Sequence, residues 1–431
     1  MAKILIHSIV FKPDGVSTAY LYADLVSELK KYGHEIVVLT STPHYNKVEG
    51  ALAAQPLTKR RGGLYYTSTY DGVKVYHIPM TKAKGTLRRV IDFVKFHILG
   101  LGIGLSLKKF DVVLAPSPPL TIGVVACLIA GLKGGKAIYN VQEIYPDFAI
   151  NQGIIKNGFL IGVLKGIEKF IYNRSVAVVT IDPKFSDIIR PRFKDPRKLH
   201  AIPNFVDTQL YAPGERHNAF SAQHGLDDKF VVAYAGNIGF AQNWEPVLYA
   251  AEKLAHLPVN FLIVGDGVRK EWLREQIAAR GIRNILLLDY QPREYMPLIN
   301  ASADIHTIVM SAEMDNDGFP SKIYTILSSG RPVIVSTGND SPLSNLLVKA
   351  NAKRKVGLND NAAYAAAIAK AYEERTLLPQ EGVAGRLFIE ANYSKEAVAM
   401  QYHQLIQQVA APIASNGQPV ITPATRAINS H

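Results

Sequence analysis

Short runs of β-branched and aliphatic residues alternate with longer amphipathic stretches from the start of the chain, which is the order a parallel α/β sheet requires. In the first half the strand-like runs are KILIHSIV, EIVVLT, VKVYHI, DVVLAP, KAIYNV and VAVVTI, with helical patterns such as 18–32 and 158–172 between some of them. A stretch rich in Pro, Asn and Asp, IPNFVDTQLYAPGERHNAF, then interrupts. The pattern restarts with KFVVAYAG, VNFLIVGDG, NILLLD, ADIHTIVM and RPVIVS, separated by predicted helices near 244–255, 270–280, 292–300 and 321–329. After KVGLND only helices follow, at roughly 361–375, 382–390 and 394–409.

An alternation that runs, stops and restarts predicts an α/β chain with two Rossmann-like, doubly wound domains, residues 1–205 and 206–393, facing a cleft with ligand contacts at the carboxyl ends of their strands. The length of 431 residues agrees with two domains of about 200 residues each. Residues 394–411 form a separate final helix, and 412–431 are a polar, Pro-containing tail.

Charge changes the picture of the first domain. Residues 1–205 hold 28 Lys and Arg against 14 Asp and Glu, a net +14, which leaves 20 against 22 for the remainder. Clusters at Lys59 to Arg61, at Lys82, Lys84, Arg88, Arg89 and Lys95, and at Lys108 and Lys109 flank VIDFVKFHILGLGIGLSL, which has amphipathic segments. A basic, partly apolar half suits an anionic membrane surface or a phosphate-bearing lipid; solvated charge around an ordinary helix is the plain alternative. No nucleic-acid partner is predicted. Residues 112–132 are uncharged, but Pro116, Pro118 and Pro119 break them, so a buried strand and a core helix are expected rather than a bilayer span. One cysteine, Cys127, excludes an internal disulfide framework and a thiolate metal cluster. The opening MAKILIHSIV reads as a strand and not a signal peptide, so the expected location is cytoplasmic, with peripheral contact at the inner face of the cytoplasmic membrane as a further expectation.

Candidate chemistry sits in the turns after strands. In FKPDGVSTAYLYADL, Gly15 and Val16 lie between a strand and a helix whose backbone N–H groups can bind an anion, with Ser17 or Thr18 available as cap. This is not the GxGxxG fingerprint, which disfavours a nicotinamide enzyme. AYAGNIGFAQNW places Gly236 and Gly239 in a similar turn, with Gln242 and Asn243 able to add hydrogen bonds. In FLIVGDG, Gly265 and Gly267 around Asp266 are either a ligand contact or a plain tight turn. In PSKIYTILSSG, Pro320 sets the helix start, Ser321 is a possible cap, and Lys322 sits in the first turn. A Lys there opposes the helix dipole, at a cost of a few tenths of a kcal/mol, unless an anion joins it or the side chain leaves for solvent.

The order and spacing of YADLVSELKKYGHEIVVLT, APSPPLTIG, NVQEIYPD, IPNFVDTQLYAP, AGNIGFAQN, FLIVGDG and GFPSKIYTILSSGRPVIV resemble glycosyltransferase family 4 over nearly the whole chain, in the branch that builds O-antigen, colanic acid and other bacterial surface polysaccharides. The resemblance implies the GT-B fold, a retaining transfer and a nucleotide-sugar donor, UDP- or GDP-linked, in the second domain, with no cofactor or metal required. It implies a lipid-linked or saccharide acceptor in the first domain and a last helix that crosses back to it. Phosphate contacts then fall to Gly15, Val16, Gly236, Asn237 and Gly239, with Lys322 as positive partner. The donor pocket extends over Gln242, Gly265, Asp266, Gly267, Tyr290, Gln291, Gly318, Phe319, Ile323 and Thr325. Catalytic roles fall to Glu143, after a strand of the first domain, and to Asp317 and Lys322.

Two departures stand out. Many members carry two glutamates eight positions apart, where this chain has Asp317 and Thr325. Thr325 can bond a ribose hydroxyl once but lacks the charge-assisted grip of a carboxylate, a loss on the order of 1 to 3 kcal/mol. The basic pair that often follows the second domain's glycine turn is replaced by Phe240 and Asn243. These departures keep two alternatives open, a sugar-nucleotide 2-epimerase of related fold and a non-catalytic GT-B-fold partner protein.

Overall fold

A computed structural model describes residues 1–46, 50–81, 86–313, 315 and 319–411, with the side chains of 86–89 also outside the description. Among the described residues the chain divides into two compact units, Met1–Pro203 joined by Ala399–Ala411, and Asn204–Val398.

The first unit holds strands β1 (Lys3–His7), β2 (Glu35–Ser41), β3 (Thr58–Arg60), β4 (Tyr65–Tyr70), β5 (Val73–Ile78), β6 (Val112–Pro116), β7 (Lys136–Val141), β8 (Ala177–Thr180) and β9 (Leu199–Ala201). They form one sheet in the order β3-β4-β5-β2-β1-β6-β7-β8-β9. From β5 to β9 all pairings are parallel. Ile4, Leu5 and Ile6 of β1 are fully buried, because a central parallel strand is covered on both faces and so reads as a continuous apolar run. The helix Ile122–Lys133 turns Ile122, Val125, Ala126, Ile129 and Ala130 into the core, as expected of a core helix, and among the described residues no helix is long and apolar enough to cross a membrane.

The β3 and β4 strands are antiparallel and are absent from the hydrophobic pattern. TKR is an exposed edge and YYTSTY alternates too weakly, so neither shows the run of apolar residues that marks an interior strand. The β4–β5 hairpin closes on Asp71 and Gly72, both at positive φ (47° and 73°), the geometry that an Asp-Gly pair favours. The helix from Lys395 to Ala410 ends within this unit, where Tyr402 accepts a bond from Asn140 and His403 Nδ1 lies 2.9 Å from His34 Nε2.

The second unit holds β10 (Phe230–Ala235), β11 (Val259–Val264), β12 (Ile285–Leu288), β13 (Ile305–Val309), β14 (Val333–Ser336) and β15 (Lys355–Val356). All are parallel, in the order β12-β11-β10-β13-β14-β15, so the strand order reverses between β10 and β13. Alternate residues of β10 serve opposite cores: Val232 and Tyr234 pack with Trp244 and Val247, whereas Val231 and Ala233 pack with Leu262 and Phe220. The helix predicted over 382–390 is longer, Leu378–Tyr393, and Ser394 separates it from the last one.

Candidate functional site

In an open parallel sheet, the crevice outside the carboxyl ends of the strands, where the order reverses, is the natural ligand site. Here that place is the end of β10. Its first loop residue, Gly236, donates to Val264 O at 2.9 Å, and a Cβ on Gly265 would lie 1.9 Å from Gly236 O, so the ends of β10 and β11 touch backbone to backbone. Only glycine fits position 265, which is at φ +156°. Ile238 N donates to Asp266 O at 2.8 Å, Arg269 N donates to Ile238 O at 2.9 Å, and a Cβ on Gly267 would meet Ile238 O at 2.3 Å. Gly236, Asn237, Gly239, Gln242, Gly265, Asp266 and Gly267 therefore form one double turn. Part of their hydrogen bonding is internal: Gly239 N donates to Gln242 Oε1 at 2.9 Å, and Tyr234 Oη donates to Asn237 O at 2.5 Å. Asn243 is held by the fold, donating to Asn359 Oδ1 at 2.8 Å and accepting from Glu245 N at 3.1 Å.

Lys322 reaches the same turn from the helix Lys322–Ser328. Its ammonium stands 3.4 Å from the centroid of the Tyr234 ring, and a Cβ on Gly236 would come within 2.9 Å of it. The residue is half-buried, and removal of the ammonium from water lowers its pKa to about 7. Among the described residues no carboxylate pairs with it. Neighbouring His306 adds no second positive charge, because burial holds it neutral with a pKa lowered to about 4. Ser321 does not cap the helix as expected: its backbone is already helical and its side chain makes no cap bond.

Thr325 donates its hydroxyl to Lys322 O at 2.9 Å, which leaves only its lone pairs for a ligand. Ile323 is fully buried in the core, so only its backbone can take part in a site. Phe319 stacks on Tyr324 with ring centroids 5.3 Å apart. Asp317 and Gly318 lie outside the described residues, but next to them Asp315 is tied down, accepting from Thr337 Oγ1 and from Gly338 N at 3.0 Å. Tyr290 is exposed and Gln291 donates to Asp289 O at 3.3 Å, beyond the end of β12.

Arg269 escaped the sequence reading. Its guanidinium lies 3.7 Å from the centroid of the Trp272 ring and 5.6 Å from that of Phe240. A positive charge thus stands beside Phe240 after all, supplied by the turn that follows β11. The Trp272 at helical spacing after Arg269 was the available signal.

In the first unit, Gly15 N donates to Asn46 O at 2.8 Å, and the buried Asp14 carboxylate accepts from the backbone of His44, Tyr45 and Asn46 at 2.9, 3.0 and 2.9 Å. The helix there is Ser17–Lys31, and its cap position is Val16, so neither Ser17 nor Thr18 caps it. Its first N–H groups have no side-chain partner at the cap. Glu143 follows β7, half-buried, with its carboxyl pKa raised by desolvation. His7 is packed against Phe96 with ring centroids 5.4 Å apart, and burial lowers its pKa to about 4. Among the described residues no cluster of His, Cys, Asp and Glu is placed to hold a metal ion.

A doubly wound unit with paired glycine turns and a cation unpaired among the described residues at its switch point, on a chain with a second, mostly parallel sheet, is consistent with the class of GT-B glycosyltransferases, the fold of its structural neighbours. Residues 18–204 match the Glycosyl transferase 4-like domain, and residues 217–384 match Glycosyl transferases group 1. The chain belongs to glycosyltransferase family 4 and is a glycosyltransferase. It is 22% identical over 410 residues to an Escherichia coli K12 protein with the provisional name colanic acid biosynthesis glycosyl transferase WcaI, covering 93% of this chain and 98% of that one. It is 27% identical over 293 residues to the UDP-Gal:alpha-D-GlcNAc-diphosphoundecaprenol alpha-1,3-galactosyltransferase of Escherichia coli, covering 65% of this chain and 69% of the relative. Among solved structures, Anabaena HepE in complex with UDP-glucose superimposes with a TM-score of 0.68 at 14% identity, over 94% of this chain and 100% of that one, a likeness of fold.

Proposed function

We propose that this glycosyltransferase takes a hexose or amino sugar from a UDP- or GDP-sugar and passes it, with retention, to a lipid-linked or saccharide acceptor during assembly of a bacterial surface polysaccharide. The observation that carries the donor assignment is the Lys322 ammonium, desolvated, with no carboxylate partner among the described residues and seated against Gly236. A cation held this way gains most from a ligand that brings negative charge, and a nucleotide diphosphate brings it at the moment of bond breaking.

In this reading the β10 and β11 turns bring backbone close to the diphosphate, and Lys322 balances the charge that develops as the sugar–phosphate bond opens. Thr325 accepts from a ribose hydroxyl, and the base lies by Asp266, Tyr290 and Gln291. Glu143 and Asp317 serve the acceptor hydroxyl and the donor sugar. The relatives named for galactosyl transfer and colanic acid support the substrate class. The basic first unit supports peripheral contact with an anionic membrane at the cytoplasmic face, where a lipid-linked acceptor is met.

Calorimetric titration with a panel of UDP- and GDP-sugars tests the donor, with one of them expected to bind. No binding by any would overturn the reading. Product anomer analysis by NMR then decides retention, and donor turnover that needs no acceptor would indicate epimerisation.

A further inference from the structure

The helix Gly158–Arg174 has two apolar faces. Leu164, Ile167 and Ile171 pack into the core of the first unit, which is the ordinary face. Phe159, Val163 and Phe170 recur at helical spacing on the other side and are 84%, 43% and 46% exposed. Gly162 and Gly166 lie between them with nothing within 4 Å of where a Cβ would be, so the aromatic rings stand proud of the backbone. An outward apolar stripe has no role in the stability of the folded unit and is costly in water.

The stripe continues onto neighbouring elements. The helix Ile122–Lys133 packs between Gly158–Arg174 and the helix Thr86–Ser106, so the three form one layer on the sheet. On this layer Leu128 and Leu132 are exposed, as are Val90, Ile91, Val94 and Ile98 at helical spacing.

Charge decides what covers it. Lys165 and Lys169 are exposed and flank the Phe159 stripe on its own helix. Beside them runs an open groove of about 500 Å³ whose lining includes Lys165, Lys169 and Lys194, while its one acidic residue, Glu168, is paired at 2.6 Å with Arg192, which also bonds Asp147, so the three lysines carry its charge. Apolar side chains flanked by lysines match the bilayer interface, where rings enter the acyl boundary and ammonium groups meet lipid phosphates. A protein surface carrying carboxylates would also meet these lysines, and the vesicle measurements below separate it from a bilayer.

We propose that this helical layer is a membrane-docking surface, with Phe159, Val163 and Phe170 inserted among the lipids and Lys165, Lys169 and Lys194 on the phosphates of anionic headgroups. This deepens the peripheral-membrane part of the proposed function and names the residues that perform it.

Co-sedimentation of the full chain with vesicles of phosphatidylcholine and phosphatidylglycerol tests it, alongside vesicles of phosphatidylcholine alone and inorganic phosphate as competitor. The wild type is expected to bind the anionic vesicles, with binding weakened by salt and not displaced by millimolar phosphate. Phe159→Ser with Phe170→Ser, and separately Lys165→Glu with Lys169→Glu, are each expected to lower partitioning by about tenfold or more. Donor binding by calorimetry and thermal midpoint should stay at wild-type values, which separates lost docking from lost folding. A wild type that ignores anionic vesicles overturns both the membrane reading and this surface. A wild type that binds them while both variants bind equally well overturns this surface alone. A wild-type dimer that the serine variants split, with no vesicle binding, assigns the layer to a second copy of the chain and overturns the lipid proposal.

Discussion

The ammonium of Lys322 stands 3.4 Å from the centroid of the Tyr234 ring, on the side where Gly236 has no side chain. The ring face supplies an attraction of roughly 0.5–2 kcal/mol, less than water would give a free ammonium. The net result is a pKa lowered to about 7, so the charge needed for an anion is only partly present at neutral pH in the free protein.

Donor binding should therefore depend on pH. A diphosphate favours the charged Lys322, so binding takes up a proton above pH 7, and affinity falls as pH rises by up to about tenfold per unit. Calorimetry in buffers of different ionisation enthalpy reads the proton uptake directly. The sign for folding is opposite. Between the folded value near 7 and the ordinary Lys value of 10.5 the unfolded chain holds a proton that the folded chain has released, so ligand-free stability attributable to Lys322 rises through that window. Lys322→Met should remove this dependence and raise the thermal midpoint below pH 7.

Gly265→Ala should destabilise the second unit by more than about 2 kcal/mol, because the new Cβ meets Gly236 O at 1.9 Å with no flexible atom to move. Gly162→Ala, at an open helical position, should instead stabilise by up to about 1 kcal/mol. Denaturant titration of both variants checks the contrast.

Thr325→Val keeps the shape of the side chain and removes its hydroxyl. It should weaken nucleotide binding by several-fold with little change in stability, since the bond to Lys322 O is local to one helix turn. Thr325→Glu restores a two-acceptor carboxylate and should tighten binding by about 1–3 kcal/mol. Equal affinities in all three proteins would remove Thr325 from the donor site.

Arg192 bonds both Asp147 and the buried Glu168. Arg192→Met should cost about 3–5 kcal/mol, because it leaves Glu168 buried without its partner. The accompanying Glu168→Gln should recover a good part of that loss in thermal melts.

Interior strands announced themselves in the sequence because parallel strands covered on both faces are unbroken apolar runs; β1, β6, β10, β11 and β13 all appear at their expected places. The β3–β4 edge did not, since β3 is exposed throughout and the buried residues of β4 are the polar Thr67 and Ser68. At the site, Lys322 was legible as a misfit with the helix dipole, a local property. Its seat on Tyr234 was not, because that depends on which strand ends next to which helix begins. The same reason hid Arg269 beside Phe240. Ser17 and Ser321 misled because cap propensity describes a residue type, whereas the cap position is set by where the preceding loop is pinned, here by Asp14 in the first unit.

The most direct test compares the wild type with Lys322→Met in calorimetric titrations against UDP and uridine, or GDP and guanosine if that base is preferred. The wild type should bind the diphosphate far more tightly than the nucleoside, and the variant should lose at least about tenfold in diphosphate affinity while nucleoside binding is unchanged. A Lys322→Met protein that binds the diphosphate as tightly as the wild type would contradict the assignment of this cation to the donor.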